Sequence, residues 1–277
     1  MLLMCHLYIE RIVRIVGNSM AYGELEGEAL TWTTRSVFGL DPSSMPSKVV
    51  ITPSEVEGYF VNFQDIMTGK GLTSERLESG FLVRKGDRQF LFCKGGIGAS
   101  IFASSAYILC HCRNVNELIF VGTGGGIGKD LESADINIPT SCIRLDKVLE
   151  VLLPPGPPAW ADSDMARKLG DLIREEVRDL GIKVHEGMHA TVPFFCSETK
   201  QLLNDLRERG ALSVDMELSV LYALANYYGL KSAGIIRIGD LPLKGLPTWI
   251  SRSYKVELKR EVHMKILNAI IKYLLTS

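Results

Sequence analysis

Short β-rich runs alternate with helical patterns from Lys48 almost to the C-terminus, and this alternation limits the chain's fold more than any other feature. The runs lie at Lys48–Thr52, Gln89–Cys93, Glu117–Val121, Ile182–Val192 and Ala233–Ile238, each ending at Gly, Pro or a polar turn. Met165, Leu169, Leu172, Ile173, Val177 and Leu180 share one helical face, and Leu218–Tyr228 reads as a second helix. Val262, Ile266, Ile270 and Leu274 mark an amphipathic helix near the C-terminus. No Gly/Ser linker, low-complexity block or internal repeat interrupts the pattern. Residues 20–277 are therefore expected to form one α/β domain around a central sheet, with the proline-rich stretch after Leu153 as a surface loop.

Residues 1–19 read as an N-terminal extension or an arm. Glu10, Arg11 and Arg14 break their apolar run, which excludes a signal core or a membrane span there. With 277 residues, 46% of them hydrophobic, the chain can bury a sizeable core. Its 31 Lys plus Arg against 32 Asp plus Glu provide no field to recruit nucleic acid or an anionic membrane. Six cysteines without a C-x-x-C pair fit a reducing cytoplasm.

Two motifs suggest metal or nucleotide and fail on context. His185-Glu186-Gly187-Met188-His189 matches H-E-x-x-H, but its β-branched flanks favour a strand, which would hold the imidazoles roughly 13 Å apart. Cys110-His111-Cys112 lacks a second ligand pair, so no metal is expected. Gly122-Thr123-Gly124-Gly125-Gly126-Ile127-Gly128-Lys129, read as a glycine loop after a strand, misses both the dinucleotide and the P-loop patterns. Its glycines still let backbone N–H groups and the Thr123 hydroxyl approach an anion or a sugar, and Gly95-Gly96-Ile97-Gly98 forms a second such turn. Both are expected at the carboxyl edge of the sheet, facing a shared pocket.

Asp215-Met216-Glu217 places two carboxylates just before the helix Leu218–Tyr228. They can complement the helix dipole, or they can accept hydrogen bonds from a diol. Asp240 ends an apolar run at a Leu-Pro turn, where either a turn-forming role or catalysis fits.

Taken together, Phe120-Val121-Gly122-Thr123-Gly124-Gly125, Val214-Asp215-Met216-Glu217 and Ile235–Asp240 resemble, in order and spacing, the nucleoside phosphorylase and nucleosidase superfamily. That superfamily includes uridine phosphorylase, hexameric purine nucleoside phosphorylase and methylthioadenosine nucleosidase. The resemblance implies a three-layer α/β/α sandwich with a mixed central sheet. Met216 and Glu217 would then hold the ribose with Asp215 behind them, and Phe194, Phe195, Gly124 and Gly125 would line the base. Asp240 would protonate a leaving purine, with Arg252 as a weaker helper. Thr123, Ser54, Arg76 and Lys94 would receive phosphate.

The chain departs from the family pattern at two phosphate arginines, which are replaced by Gly58 and Phe120. Each lost charge-assisted contact weakens a dianion by roughly 1.5–3 kcal/mol. Lys94-Gly95-Gly96-Ile97-Gly98 is also similar to a turn of the hydrolytic members. The expected activity is phosphorolysis of a ribonucleoside, with a purine favoured, to free base and ribose 1-phosphate. The alternatives are hydrolysis of the same bond and a non-catalytic nucleoside-binding protein. The resemblance implies no cofactor beyond inorganic phosphate as co-substrate, and a homo-oligomer such as a dimer or a trimer of dimers.

Overall fold

The structure, a computed structural model, describes residues 25–153, 156, 159–246 and 255–276. The expected arm 1–19, Arg252 and four of the prolines after Leu153 lie outside the described residues. The strands are β1 (Lys48–Thr52), β2 (Thr73–Leu77), β3 (Gly80–Lys85), β4 (Arg88–Lys94), β5 (Glu117–Gly126), β6 (Ile136–Arg144), β7 (Ala159–Trp160), β8 (Val184–Thr191), β9 (Ala211–Asp215) and β10 (Lys231–Asp240). They form one ten-stranded mixed sheet in the order β10-β6-β8-β9-β5-β1-β4-β3-β2, with β7 pairing with β6. Because β10 also pairs with β5, the five strands β5, β9, β8, β6 and β10 close on themselves.

The helices are α1 (Gly27–Phe38), α2 (Val56–Tyr59), α3 (Phe63–Gly69), α4 (Ala99–His111), α5 (Ser163–Val177), α6 (Lys200–Glu208), α7 (Leu218–Tyr228) and α8 (Val256–Thr276). Period-2 alternation along the strands sorts the core into layers. Val50, Ile119, Val121, Ala233 and Ile235 face α5 and α8, and pack with Leu169, Ile173, Ile266 and Ile270. Val49, Ile51, Leu118, Phe120 and Ile236 face the opposite layer, where Phe38, Phe102, Leu109 and Leu221 come from α1, α4 and α7. Helix starts are set locally: Asp162 accepts from the Met165 N–H at 2.9 Å, and Thr199 from the Leu202 N–H at 3.2 Å.

One expectation needs correction. Gly122–Gly126 is not a loop but the second half of β5. A Cβ at Gly124 would lie 2.3 Å from the Val214 carbonyl oxygen, and one at Gly122 2.4 Å from the Phe120 ring. These glycines therefore let β9 and the core crowd against β5 while the ladder to β10 continues.

The closed part of the sheet is tied by the fully buried Tyr222, whose hydroxyl donates to the Pro139 carbonyl of β6 and accepts from the Gly234 N–H of β10, both at 2.8 Å. Tyr222→Phe leaves both backbone groups without this partner, and should lower unfolding free energy by about 1–3 kcal/mol in urea at an unchanged m-value. A loss below about 0.5 kcal/mol, the range of ordinary surface substitutions, would contradict this role.

Candidate active site

Two strands arrive at β5 from opposite directions. β1 pairs in parallel with Glu117–Phe120, whereas β9 runs antiparallel and pairs with Gly125 and Gly126. Their carboxyl ends therefore converge on the stretch between, centred on Gly122 to Gly124, bringing the turn after Thr52 and the Met216-Glu217 pair to one opening. β10 covers the other edge, with Arg237 opposite Thr123 and Asp240 opposite Gly125. The Gly95–Gly98 turn follows β4, the neighbour of β1.

The two carboxylates of Asp215-Met216-Glu217 have different jobs. Asp215 accepts from the Thr191 hydroxyl at 2.7 Å and from the Leu218 N–H at 2.9 Å, and His189 Nε2 sits 3.0 Å from its Oδ1, off the line of a good hydrogen bond. It anchors the start of α7 and has little capacity left for a ligand. Glu217 is only 4% exposed, and its Oε1 accepts from the Gly98 N–H at 2.6 Å. Gly98 precedes α4 at φ +89°, a region that suits glycine. The second glycine turn thus holds a carboxyl oxygen of the chain's own Glu217. Burial, then the Asp215 charge, push the Glu217 carboxyl up to about 8.

Across the opening, Asp240 ends β10 at 8% exposure. A bulge at Gly239 turns it toward β5, where a Cβ on Gly125 would stand 3.5 Å from Asp240 Oδ1. Gly239 is required there, because a Cβ would meet Thr123 Cγ2 at 2.6 Å. Glu198, just past Phe194 and Phe195, is pushed up to about 7 by burial and then by the charges of Asp240 and Asp215.

Four polar residues at the site escaped the sequence reading: Arg237, Tyr59, His263 and Lys259. The Arg237 Nε donates to His263 Nε2 at 2.7 Å, Nη1 to the Ile238 carbonyl at 3.2 Å, and Nη2 to the Thr123 hydroxyl at 3.1 Å. The Tyr59 hydroxyl lies close to Thr123 and is pushed upward by burial and then by Glu217. Burial lowers Arg237 to about 10 and, with the Arg237 charge, His263 to about 3, so His263 is a neutral acceptor. The available signal was a single arginine inside the apolar run Ile235-Ile236-Arg237-Ile238.

The remaining candidates are less gathered. Ser54 is half-buried, in a turn held by the Thr52 hydroxyl donating to its carbonyl at 2.7 Å. Lys94 pairs with Glu55 at 2.6 Å and Arg76 with Glu57 at 2.8 Å, so the turn after β1 brings its own carboxylates to both cations. Phe120 is fully buried, with its ring 5.5 Å from that of Phe102. Phe194 and Phe195 stand 56% and 66% exposed beyond β8. The histidines of H-E-x-x-H lie on β8, with His185 Nε2 3.2 Å from Asp135 and His189 buried against Ser213. Among the described residues no cluster of three metal-ligating side chains occurs. An apolar hollow of about 900 Å³, lined by Trp32, Ala103, Tyr107, Leu149 and Leu152 among others, lies away from these groups. Among the described residues its one charged lining group is Glu28, whereas Glu217 and Asp240, the buried carboxylates, gather at the strand ends.

The model of the phosphorylase superfamily matches residues 49–274. The chain belongs to that superfamily. A DeoD-type purine nucleoside phosphorylase of Bacillus cereus is 32% identical over 151 residues, 52% of this chain and 61% of that relative. The match thus spans about three fifths of the length of this curated relative. Purine nucleoside phosphorylase of Toxoplasma gondii, solved with immucillin-H, superposes with a TM-score of 0.67 at 19% identity, covering 86% of this chain and 95% of that one. A futalosine hydrolase mutant from Helicobacter pylori gives 0.63 at 16% identity, covering 82% and 99%. At such identities the superpositions establish the shared three-layer superfamily fold. No helix among the described residues is long and apolar enough to cross a membrane.

The raised Glu217 fixes the sign of a pH effect. The folded chain keeps this proton to about 8, against an ordinary 4.5 when unfolded, so stability falls as pH rises between those values. Glu217→Gln keeps the acceptor for Gly98 and removes the titration. Its urea stability should decline less over that window and exceed the wild type's above it by more than about 1 kcal/mol, the equivalent of one pKa unit. Parallel pH profiles for the two proteins would refute the assignment.

Proposed function

We propose that this chain cleaves the N-glycosidic bond of a purine ribonucleoside with inorganic phosphate, releasing free base and ribose 1-phosphate. The observation that carries the reading is the pair of buried carboxylates, Glu217 and Asp240, on either side of the Thr123–Gly125 stretch of β5. Glu217 accepts from the ribose hydroxyls with Met216 against the sugar, while Asp215 positions both by fixing the start of α7. Gly124 and Gly125 bring bare backbone to the base near Asp240, and Phe194 and Phe195 offer it aromatic faces.

In the reaction the bond from C1′ to the base nitrogen breaks and its electron pair goes to the purine, which takes a proton from Asp240. A phosphate oxygen forms the new bond to C1′, and solvent returns the proton to Asp240. No cofactor enters this scheme. The retained Thr123 and Ser54 lie on the phosphate side; Arg76 and Lys94 join them only on leaving Glu57 and Glu55.

Those two ion pairs favour a second reading, hydrolysis, because each occupies with a carboxylate a cation that a dianion would need. A non-catalytic nucleoside-binding protein would keep the Glu217 side and lack turnover. The scheme carries with it a cytoplasmic homo-oligomer, in which the exposed Arg76, Phe194 and Phe195 are covered by a neighbouring copy.

Product analysis on purine and pyrimidine nucleosides, with and without phosphate, separates the readings. Phosphorolysis requires ribose 1-phosphate that appears only with phosphate, and free ribose at the same rate without it would replace that reading with hydrolysis. Asp240→Asn should lower kcat on purine nucleosides by about 10²–10⁴-fold, the range of a general acid, with little change in KM. An undiminished kcat would remove Asp240 from the scheme.

A further inference from the structure

Arg237 is 7% exposed and sits mid-site on β10, yet none of its three hydrogen bonds goes to a carboxylate. Its partners are a neutral imidazole, a backbone carbonyl and a hydroxyl, none carrying the charge that a buried cation calls for. Asp240 acts on it through space, but no ion pair with it forms among the described residues. Lys259, on α8 one turn before His263, is also largely buried and is lowered by burial and then by the Arg237 charge. Two cations are thus brought together out of water in a site otherwise rich in carboxylates.

The guanidinium is aimed. His263, from α8, accepts the hydrogen bond from Nε and fixes the plane of the fork, while the Thr123 hydroxyl accepts one from Nη2. Donors remain on both terminal nitrogens. Thr123 is exposed and lies close to Tyr59, the last residue of α2, the short helix after β1. Arginine, hydroxyl and tyrosine therefore meet where the turn after β1 opens onto the glycine stretch of β5. Meanwhile Gly58 and Phe120 provide no cationic group, and Phe120 points into the opposite core layer.

We propose that Arg237, held by His263 and assisted by Thr123 and Tyr59, is the residue that binds the attacking phosphate dianion in this chain. A guanidinium fork matches two oxygens of a tetrahedral anion, and neutralising Arg237 removes the charge imbalance left by its burial. The inference rests on the phosphorolytic reading for its substrate, but the anion site can be tested without catalysis.

Inorganic phosphate is titrated calorimetrically into the wild type, Arg237→Gln and Arg237→Lys. The same proteins are then assayed for nucleoside cleavage against phosphate concentration, and thermal unfolding with and without phosphate confirms that each variant is folded. Arg237→Gln should bind phosphate at least about tenfold more weakly and raise the phosphate KM by a similar factor. The nucleoside KM should stay within about threefold, and Arg237→Lys, which keeps charge but loses the fork, should fall between. Should Arg237→Gln fail to fold, His263→Leu supplies the second variant: it releases the guanidinium from its fixed plane and should weaken phosphate binding while Arg237 is intact. Unchanged phosphate affinity in the folded variants overturns the proposal, as does a wild type that binds no phosphate. Cleavage indifferent to phosphate, beside phosphate binding lost in Arg237→Gln, overturns phosphorolysis and upholds the anion site.

Discussion

The close approach of β9 to the glycine half of β5 is the constraint on which the rest of the structure depends. With the Val214 carbonyl where a Cβ of residue 124 would be, only glycine lets the two strands meet. That meeting ends β9 at Asp215, sends the chain directly into α7, and leaves Met216 and Glu217 at the mouth of the gap between β1 and β9. The same strand pairs on its other edge with β10, so Arg237 and Asp240 arrive opposite Thr123 and Gly125. One glycine-rich strand thus brings together the sides proposed for sugar, base and anion.

The electrostatics follow from burial. Glu217 is desolvated beside Asp215 and is relieved in part by the backbone N–H groups of Gly98 and Met216. A ribose diol would add the donors that it lacks, so sugar binding and ionisation of Glu217 favour each other. Arg237 has the opposite need, a buried cation set among neutral acceptors. The two sides ask for complementary parts of a reaction mixture, a polyhydroxylated sugar and an anion, and both face the same stretch of β5.

Much of this was legible in the sequence. The runs Lys48–Thr52 and Glu117–Val121 are short, β-branched-rich apolar stretches of the kind a strand buried on both faces carries, and Leu218–Tyr228 is bounded by Glu217 and Gly229 as a helix should be. The β-branched flanks of His185 and His189 marked the strand on which both lie. The glycine run was misjudged because glycine in sequence signals a loop, whereas here it signals crowding from Val214 and Phe120, residues distant or buried in ways only the fold reveals. β6 went unmarked because Asn137, Pro139, Thr140 and Ser141 break its apolar pattern, although Asn137 and Ser141 are buried. Arg237 looked like an ordinary strand residue until α8 brought His263 to it. Ser54, Arg76 and Lys94 were legible as polar candidates, but not their ion pairs, which depend on where the turn after β1 places Glu55 and Glu57.

Recognition of a ribose diol by Glu217, in the gap between β1 and β9, is read out by calorimetric comparison of a purine ribonucleoside with its 2′,3′-dideoxy counterpart. The ligand without hydroxyls should bind at least about tenfold more weakly, since a desolvated carboxylate is left without its donors. The difference should disappear in Glu217→Ala. Equal affinity of the wild type for both nucleosides would contradict it.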